Sequence, residues 1–204
     1  MKLSVQLLLK AYQENEPGWD QRLKRFSQTL IEQIDNLAHI SSSFSDFARM
    51  PELQKESLNL IEICNSVIEL HAKNPDVDIL SEFPQDIVPI IQADKNQINR
   101  ILVNLFKNSL QALDENKKGI IRITITQLQG HYLLSFCDNG RGIEDHLKHR
   151  IFTPNFTTKT GGTWLGLAMI KSIMEDHGGS ITFESQAGIG TTFFLSFPIP
   201  GGEK

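Results

Sequence analysis

The sequence has only two cysteines, Cys64 and Cys137, far apart and outside any metal-ligand spacing. That pattern offers neither a disulfide framework nor a structural zinc site, and it fits free, buried thiols in a reducing compartment. No stretch of eighteen apolar residues occurs, so no transmembrane helix is expected within the chain. The opening MKLSVQLLLK has a short apolar run but no small-residue cleavage site, and reads as a helix rather than a signal peptide. Charge of one sign is also lacking. A formal net charge of −4 argues against non-specific nucleic-acid binding. Internal repeats and low-complexity tracts are absent, and 204 residues suffice for one or two domains with a real core.

What is present begins with helical periodicity. Met1–Gln13 places Leu3, Leu7, Leu8 and Ala11 on one side, and Pro17 and Gly18 then break the pattern. Asp20 is positioned to cap the next helix. Leu23, Phe26, Leu30, Ile34, Leu37, Ile40, Phe44 and Phe47 recur at steps of three or four, the seam of a helical bundle. A short and a long helix joined tightly make an antiparallel hairpin that cannot bury both seams alone, which predicts dimerisation into a four-helix bundle. The fold class is therefore α+β. A helical hairpin at 1–50 and a linker at 51–56 around Pro51 precede a two-layer α/β sandwich at 57–204. In the sandwich, Ser57–Lys73 reads as a helix. Asp78–Phe83 and Val88–Gln92, flanked by prolines, read as strands of a candidate hairpin. Asp94 caps a strong helix to Leu113. Ile120–Gln127 and His131–Cys137 are strands joined at Gln129-Gly130. Leu165–Asp176 is a helix stopped by Gly178-Gly179, and Ser180–Glu184 and Thr191–Phe197 are the last strands.

Three stretches carry chemistry. Asn104 and Asn108 share one face of an otherwise apolar helix, where amides can bind a metal through oxygen or phosphate through NH2; alone, they equally fit an exposed polar face. DNGRGI, Asp138 to Ile143, ends an apolar strand. A carboxylate there can accept from an exocyclic amine, and Gly140 and Gly142 permit close approach of a planar base; alone, the stretch is a turn signal. GGTWLGL, Gly161 to Leu167, opens a helix whose unpaired N–H groups and dipole suit phosphates.

In this order and spacing, RILVNLFKNSLQAL, DNGRGI, IFTPNFTTK and GGTWLGLAMIK resemble the N, G1, F and G2 boxes of sensor histidine kinases, within the GHKL ATPases. The resemblance covers roughly residues 57–200. Lys107 beside Asn108, and the TTK run, are most similar to the nitrogen-regulation branch. The resemblance implies an ATP-dependent histidine kinase of a two-component system, using ATP and Mg²⁺ and releasing ADP. Asn108 would hold the Mg²⁺, with Asn104 beside it and Lys107 on phosphate. Glutamate, the residue of hydrolytic relatives, is replaced by Asn104, and an amide cannot act as general base; this suits transfer to histidine rather than to water. Asp138 would accept the adenine amine, with Gly140 and Gly142 beside the base. Ile143 to Thr163 would form the ATP lid, anchored by Phe152 and Phe156, with Lys159, Thr160 and Gly162 reaching the phosphates. Leu165, Gly166 and Leu167 would present backbone N–H groups to the phosphate chain, and Thr191 or Thr192 would meet adenine through water. The implied partners are a second copy through the hairpin and a response-regulator receiver domain. Nucleic acid is not among them, the expected compartment is the cytoplasm, and membrane contact is expected only through segments upstream.

Two departures qualify the resemblance. The family's phosphoacceptor lies in a His-Glu segment followed by Asn-Pro, and no such segment occurs, so the chain is expected to be a piece that starts after the acceptor. His39 lacks an acidic neighbour and reads as structural. His177, in EDHGG, reads as a cation closing its helix. The second departure is Trp164, at a glycine of the family's run, where an indole opposes backbone–phosphate contact and is expected to weaken ATP binding. A non-catalytic dimeric scaffold that docks a response regulator is therefore the competing reading. A serine kinase or ATP hydrolase of the same superfamily is disfavoured by the long hairpin.

Overall fold

The computed structural model describes residues 9–10, 12–14, 17–48, 53–114, 116–153 and 165–201, with backbone alone at 32, 35–48 and 165. The chain divides into two units near residue 50.

In the first unit, residues 9, 10, 12 and 13 are helical, and α1 spans Trp19–Ala48. The rest of the opening helix read from the sequence lies outside the described residues. Gly18 turns the chain with φ 81°, and the Tyr12 and Trp19 rings meet edge-on across the corner at 4.9 Å. The helix opens one residue before Asp20, whose carboxylate stands in the first turn, favourable to the dipole but not the cap expected. Along the seam, Leu23 and Ile34 are exposed within this unit, and Phe26 and Leu30 are half-buried.

The second unit is a five-stranded sheet with helices on one face. Its elements are β1 (Glu56–Asn59), α2 (Leu60–His71), β2 (Val77–Glu82), β3 (Ile90–Ala93), α3 (Lys95–Ala112), β4 (Gly119–Leu128), β5 (His131–Asp138), α4 (Asp145–Lys148), α5 (Leu165–Asp176), β6 (Ser180–Gln186) and β7 (Gly190–Pro198). The sheet order is β2-β4-β5-β7-β6, with β2 parallel to β4 and every other pairing antiparallel. Alternate residues of β5, Tyr132, Leu134, Phe136 and Asp138, are buried on the helix side. Against that face pack Ile98, Ile101, Leu102, Leu105 and Phe106 of α3 and Met169, Ile170, Ile173 and Met174 of α5, in one cluster.

Three readings are corrected. Ser57–Lys73 is not one helix. Residues 56–59 pair with β3 as a strand, and Asn59 at φ −81°, ψ 112° caps α2 by accepting from the Ile61 N–H at 3.0 Å. Second, β2 and β3 do not pair with each other. Pro84 and Pro89 between them cannot donate to a ladder, so β2 joins the edge of the main sheet while β3 takes β1. Third, His177 is no helix-ending cation. It is 4% exposed, with Nδ1 donating to the Ile173 carbonyl at 2.7 Å and Nε2 accepting from the Asp94 N–H at 3.0 Å. An accepting Nε2 carries no proton, so the ring is the neutral Nδ1–H tautomer. It ties the end of α5 to the start of α3, where the Gln54 N–H also reaches Asp94 Oδ2 at 3.2 Å and Lys55 Nζ reaches the Asp176 carbonyl at 2.9 Å.

Cys64 is buried in α2, and burial pushes its thiol up to about 12. Cys137 is half-buried on the helix-free face.

Candidate nucleotide site

The site is built on α3. Asp94 caps it, Oδ1 accepting from the N–H groups of Asn96 and Gln97 at 3.0 and 3.2 Å. The apolar stripe of this helix points at the sheet and ends in Ser109, which is fully buried. Asn104 and Asn108, off the stripe, are half-buried, and Lys107 is exposed. Asn104 Nδ2 donates to the Arg100 carbonyl at 2.8 Å, which fixes the amide and turns its oxygen outward to α5. A Cβ on Gly166 would lie 3.2 Å from Asn104 Oδ1. Asn108 Nδ2 is buried without a hydrogen-bond partner, an uncompensated donor that an oxygen-rich ligand would satisfy.

At the end of β5, Asp138 is 4% exposed. Its Oδ2 accepts from Ser109 Oγ at 2.8 Å and its Oδ1 from the Gly140 N–H at 3.0 Å. The adjoining loop is pinned on both sides. A Cβ on Gly140 would meet the Ala112 carbonyl oxygen at 2.7 Å, and the Arg141 N–H donates to that same carbonyl at 2.8 Å. Gly142 has φ 67°, and its Cβ side abuts the Gln186 carbonyl. The glycine requirement at both positions thus comes already from protein backbone. Ser185 is the hub of the corner. Its Oγ accepts from the Ile143 N–H at 2.8 Å, donates to the Gly190 carbonyl at 2.9 Å and lies 3.0 Å from Thr191 Oγ1.

Register separates the two threonines. Thr191 pairs directly with Asp138 and is buried on the same face; Thr192 pairs with Cys137 and points to the helix-free face, away from Asp138. A cleft of about 460 Å³ opens at this end of the sheet, with Arg122, Cys137, Glu184 and Thr192 in its wall together with Asp138, Ser185 and Thr191 of the corner. Phe152 meets Phe183 edge-on at 5.7 Å and, with Ile143 and Leu167, packs on the core. Between them the short α4 carries an Asp145–Lys148 pair at 2.6 Å, whose hydrogen bond holds the Asp145 carboxyl below its ordinary range. Phe156, Lys159, Thr160, Gly162 and Trp164, and the side chain of Leu165, lie outside the described residues.

Ser109 and Ser185 were not singled out from the sequence. Ser109 had a signal, since a hydroxyl on the stripe Ile98, Ile101, Leu102, Leu105 must be buried and needs a partner. Ser185 had none, because its Ile143 partner is distant in the chain and its Gly190 and Thr191 partners depend on the β6–β7 register.

Residues 93–201 match the family of histidine kinase-, DNA gyrase B- and HSP90-like ATPases. The chain belongs to this family. Among relatives of the ATPase, the sensor histidine kinase ZraS of Escherichia coli K12 is 32% identical over 198 residues, 96% of this chain and 42% of ZraS. The chain thus spans less than half the length of that relative. The catalytic domain of histidine kinase ThkA superposes with a TM-score of 0.64 at 33% identity, over 72% of this chain and 96% of the domain. ThkA crystallised with response regulator TrrA shares the fold, with a TM-score of 0.71 at 24% identity, covering 98% of this chain and 59% of that one.

The family implies magnesium. Among the described residues no three His, Cys, Asp or Glu side chains converge on a metal position. The half-buried amide of Asn108 offers one carbonyl oxygen, which fits an ion held chiefly by phosphate oxygens and water, as magnesium commonly is.

Proposed function

We propose that the chain is the ATP-binding core of a protein histidine kinase in two-component signalling. The carrying observation is the Asp138 corner, a buried carboxylate held by two protein donors at the end of the sheet, in a chain of this ATPase family. On this reading Asp138 accepts the adenine amine, with Thr191 on the same face. Asn104, Lys107, Asn108 and the N–H groups opening α5 at Leu165, Gly166 and Leu167 receive the phosphates. Phe156, Lys159, Thr160 and Gly162 belong to the lid rooted at Ile143 and Phe152. Magnesium, when bound, neutralises charge on the phosphates. Asn104 carries an amide, which cannot act as general base toward water, so on this reading the residues position and orient rather than hydrolyse.

Residues 1–50 serve as the dimerising hairpin, 51–56 as linker and 57–204 as the catalytic domain. The exposed Leu23 and Ile34 support a second copy as the cover for the seam. ThkA's complex with TrrA supports a receiver domain as partner, and the cytoplasm is the matching compartment. Among the described residues no helix is long and apolar enough to cross a membrane. Trp164 favours the second reading, a scaffold whose pocket is impaired.

The test is a Mg²⁺-ADP titration by calorimetry on this chain and on Trp164→Gly, followed by ATP-dependent labelling of a supplied hairpin bearing a His-Glu segment. Micromolar binding and labelling support the kinase. Binding by Trp164→Gly alone supports the scaffold. Absence of binding by both proteins refutes the nucleotide site.

A further inference from the structure

We infer that Ser109 is a positioning residue that sets the base preference of the site; this deepens the ATP reading and rests on it. A helical serine ordinarily returns its hydroxyl to the carbonyl four residues back. Ser109 instead crosses 29 residues of chain to Asp138 Oδ2, at 2.8 Å, between groups 0% and 4% exposed. The second carboxylate oxygen takes the Gly140 N–H at 3.0 Å. Both bonds deliver protons to the carboxylate, so Asp138 is fixed in angle and held as an acceptor. An acceptor pairs with the 6-amino group of adenine. It opposes the 6-oxo group of hypoxanthine or guanine, lone pair against lone pair.

Two further contacts make the placement rigid. Ser109 receives the Leu113 N–H on its own carbonyl at 3.1 Å, which closes the last turn of α3. The next turn's Ala112 carbonyl holds the Arg141 N–H at 2.8 Å, so the helix end and the Asp138 loop move as one piece. Removing the hydroxyl leaves Asp138 one donor short in a buried place. Such a carboxyl can turn, or keep a proton and donate it to a 6-oxo base. Preference for the amine then falls, rather than affinity alone.

The experiment compares Mg²⁺-ADP with Mg²⁺-IDP, which differ at the 6 position, by calorimetry and competition. It uses the full chain, Ser109→Ala and Ser109→Thr. The expected result is a chain that prefers ADP, an alanine variant whose ADP affinity drops about tenfold while IDP affinity stays within about twofold, and a threonine variant that keeps the preference. Equal losses for both nucleotides in the alanine variant, or an unchanged ratio, overturn the inference and leave the ATP reading standing. Should threonine prevent folding, the alanine ratio alone decides. Should the parent chain bind neither nucleotide, the comparison is made in the Trp164→Gly background, and failure to bind there overturns the ATP reading and this inference together.

Discussion

The two ends of the site are built on opposite principles. At the base end the protein answers its own polar groups. Asp138 has Ser109 and Gly140, Ser185 joins Ile143, Gly190 and Thr191, and the loop glycines are packed against the Ala112 and Gln186 carbonyls. At the phosphate end, Asn108 Nδ2 is buried without a partner and Lys107 is exposed. On the nucleotide reading proposed above, the base end is preorganised as part of the fold, whereas the phosphate end is completed by its ligand. Changes at the first should therefore cost stability and affinity together, and changes at the second should cost affinity alone.

The strongest way to break the contrast is Asp138→Asn. The amide turns one acceptor into a donor, facing either the Gly140 N–H or the ligand amine. With bonds to a charged group worth about 1.5–3 kcal/mol each, ADP affinity should fall about a hundredfold, and calorimetric melting should drop in parallel. A hundredfold loss without change in melting would contradict the braced corner. Next in size is Asn108→Ala. It should remove most Mg²⁺-nucleotide binding yet leave urea stability within about 1 kcal/mol of the parent, because it deletes an unsatisfied buried donor. A loss of several kcal/mol would place Asn108 in the fold rather than the site.

Ser185→Ala sharpens the comparison from the other side. Losing the hub should destabilise the unit by about 1–2 kcal/mol, through the part-buried Ile143 N–H and Gly190 carbonyl losing a partner. Nucleotide affinity should weaken only a few-fold, because Asp138 keeps both of its bonds. Gly166→Ala should do the reverse. Alanine is the better helix residue by about 1 kcal/mol, so melting should hold or rise, while a methyl 3.2 Å from Asn104 Oδ1 shifts that amide and costs a few-fold in ADP affinity. The smallest effect at neutral pH belongs to Cys64. With its folded value raised to about 12 from 9.0, it stays neutral in the fold while an unfolded chain ionises. Both states are protonated below pH 9, so stability is unaffected there. It declines as pH rises from 9 towards 12, and a Cys64→Ala variant should lack that component of the alkaline decline. In the folded chain, Cys137 should react with a thiol reagent well before Cys64.

Much of the α/β unit was readable because its signals are local. Asp94 before a stripe at helical spacing announced α3, Gln129-Gly130 announced the β4–β5 turn, and Gly178-Gly179 announced the end of α5. The errors share one cause. Leu58 fits the helical period of Ile61 and Val67, yet its segment extends because β3 offers it a ladder. The prolines near β2 and β3 suggested a hairpin, but pairing choice lies with partners about forty residues away in β4 and in β1. His177 looked like a helix-ending cation until Asp94, 83 residues distant, donated to its ring.

The sequence by itself determined the family, the principal helices and the strands of the main sheet, and the residue types able to meet a base and phosphates. All three are set by spacing along the chain, which periodicity and turn chemistry expose directly. Only the tertiary structure decided which of two adjacent threonines stands with Asp138, why Gly140 and Gly142 admit no side chain, and that Ser109 and Ser185 brace the corner. Each of these depends on strand register or on hydrogen bonds between segments far apart in the chain. A one-residue shift in register turns every side chain to the opposite face, and no local pattern encodes that choice.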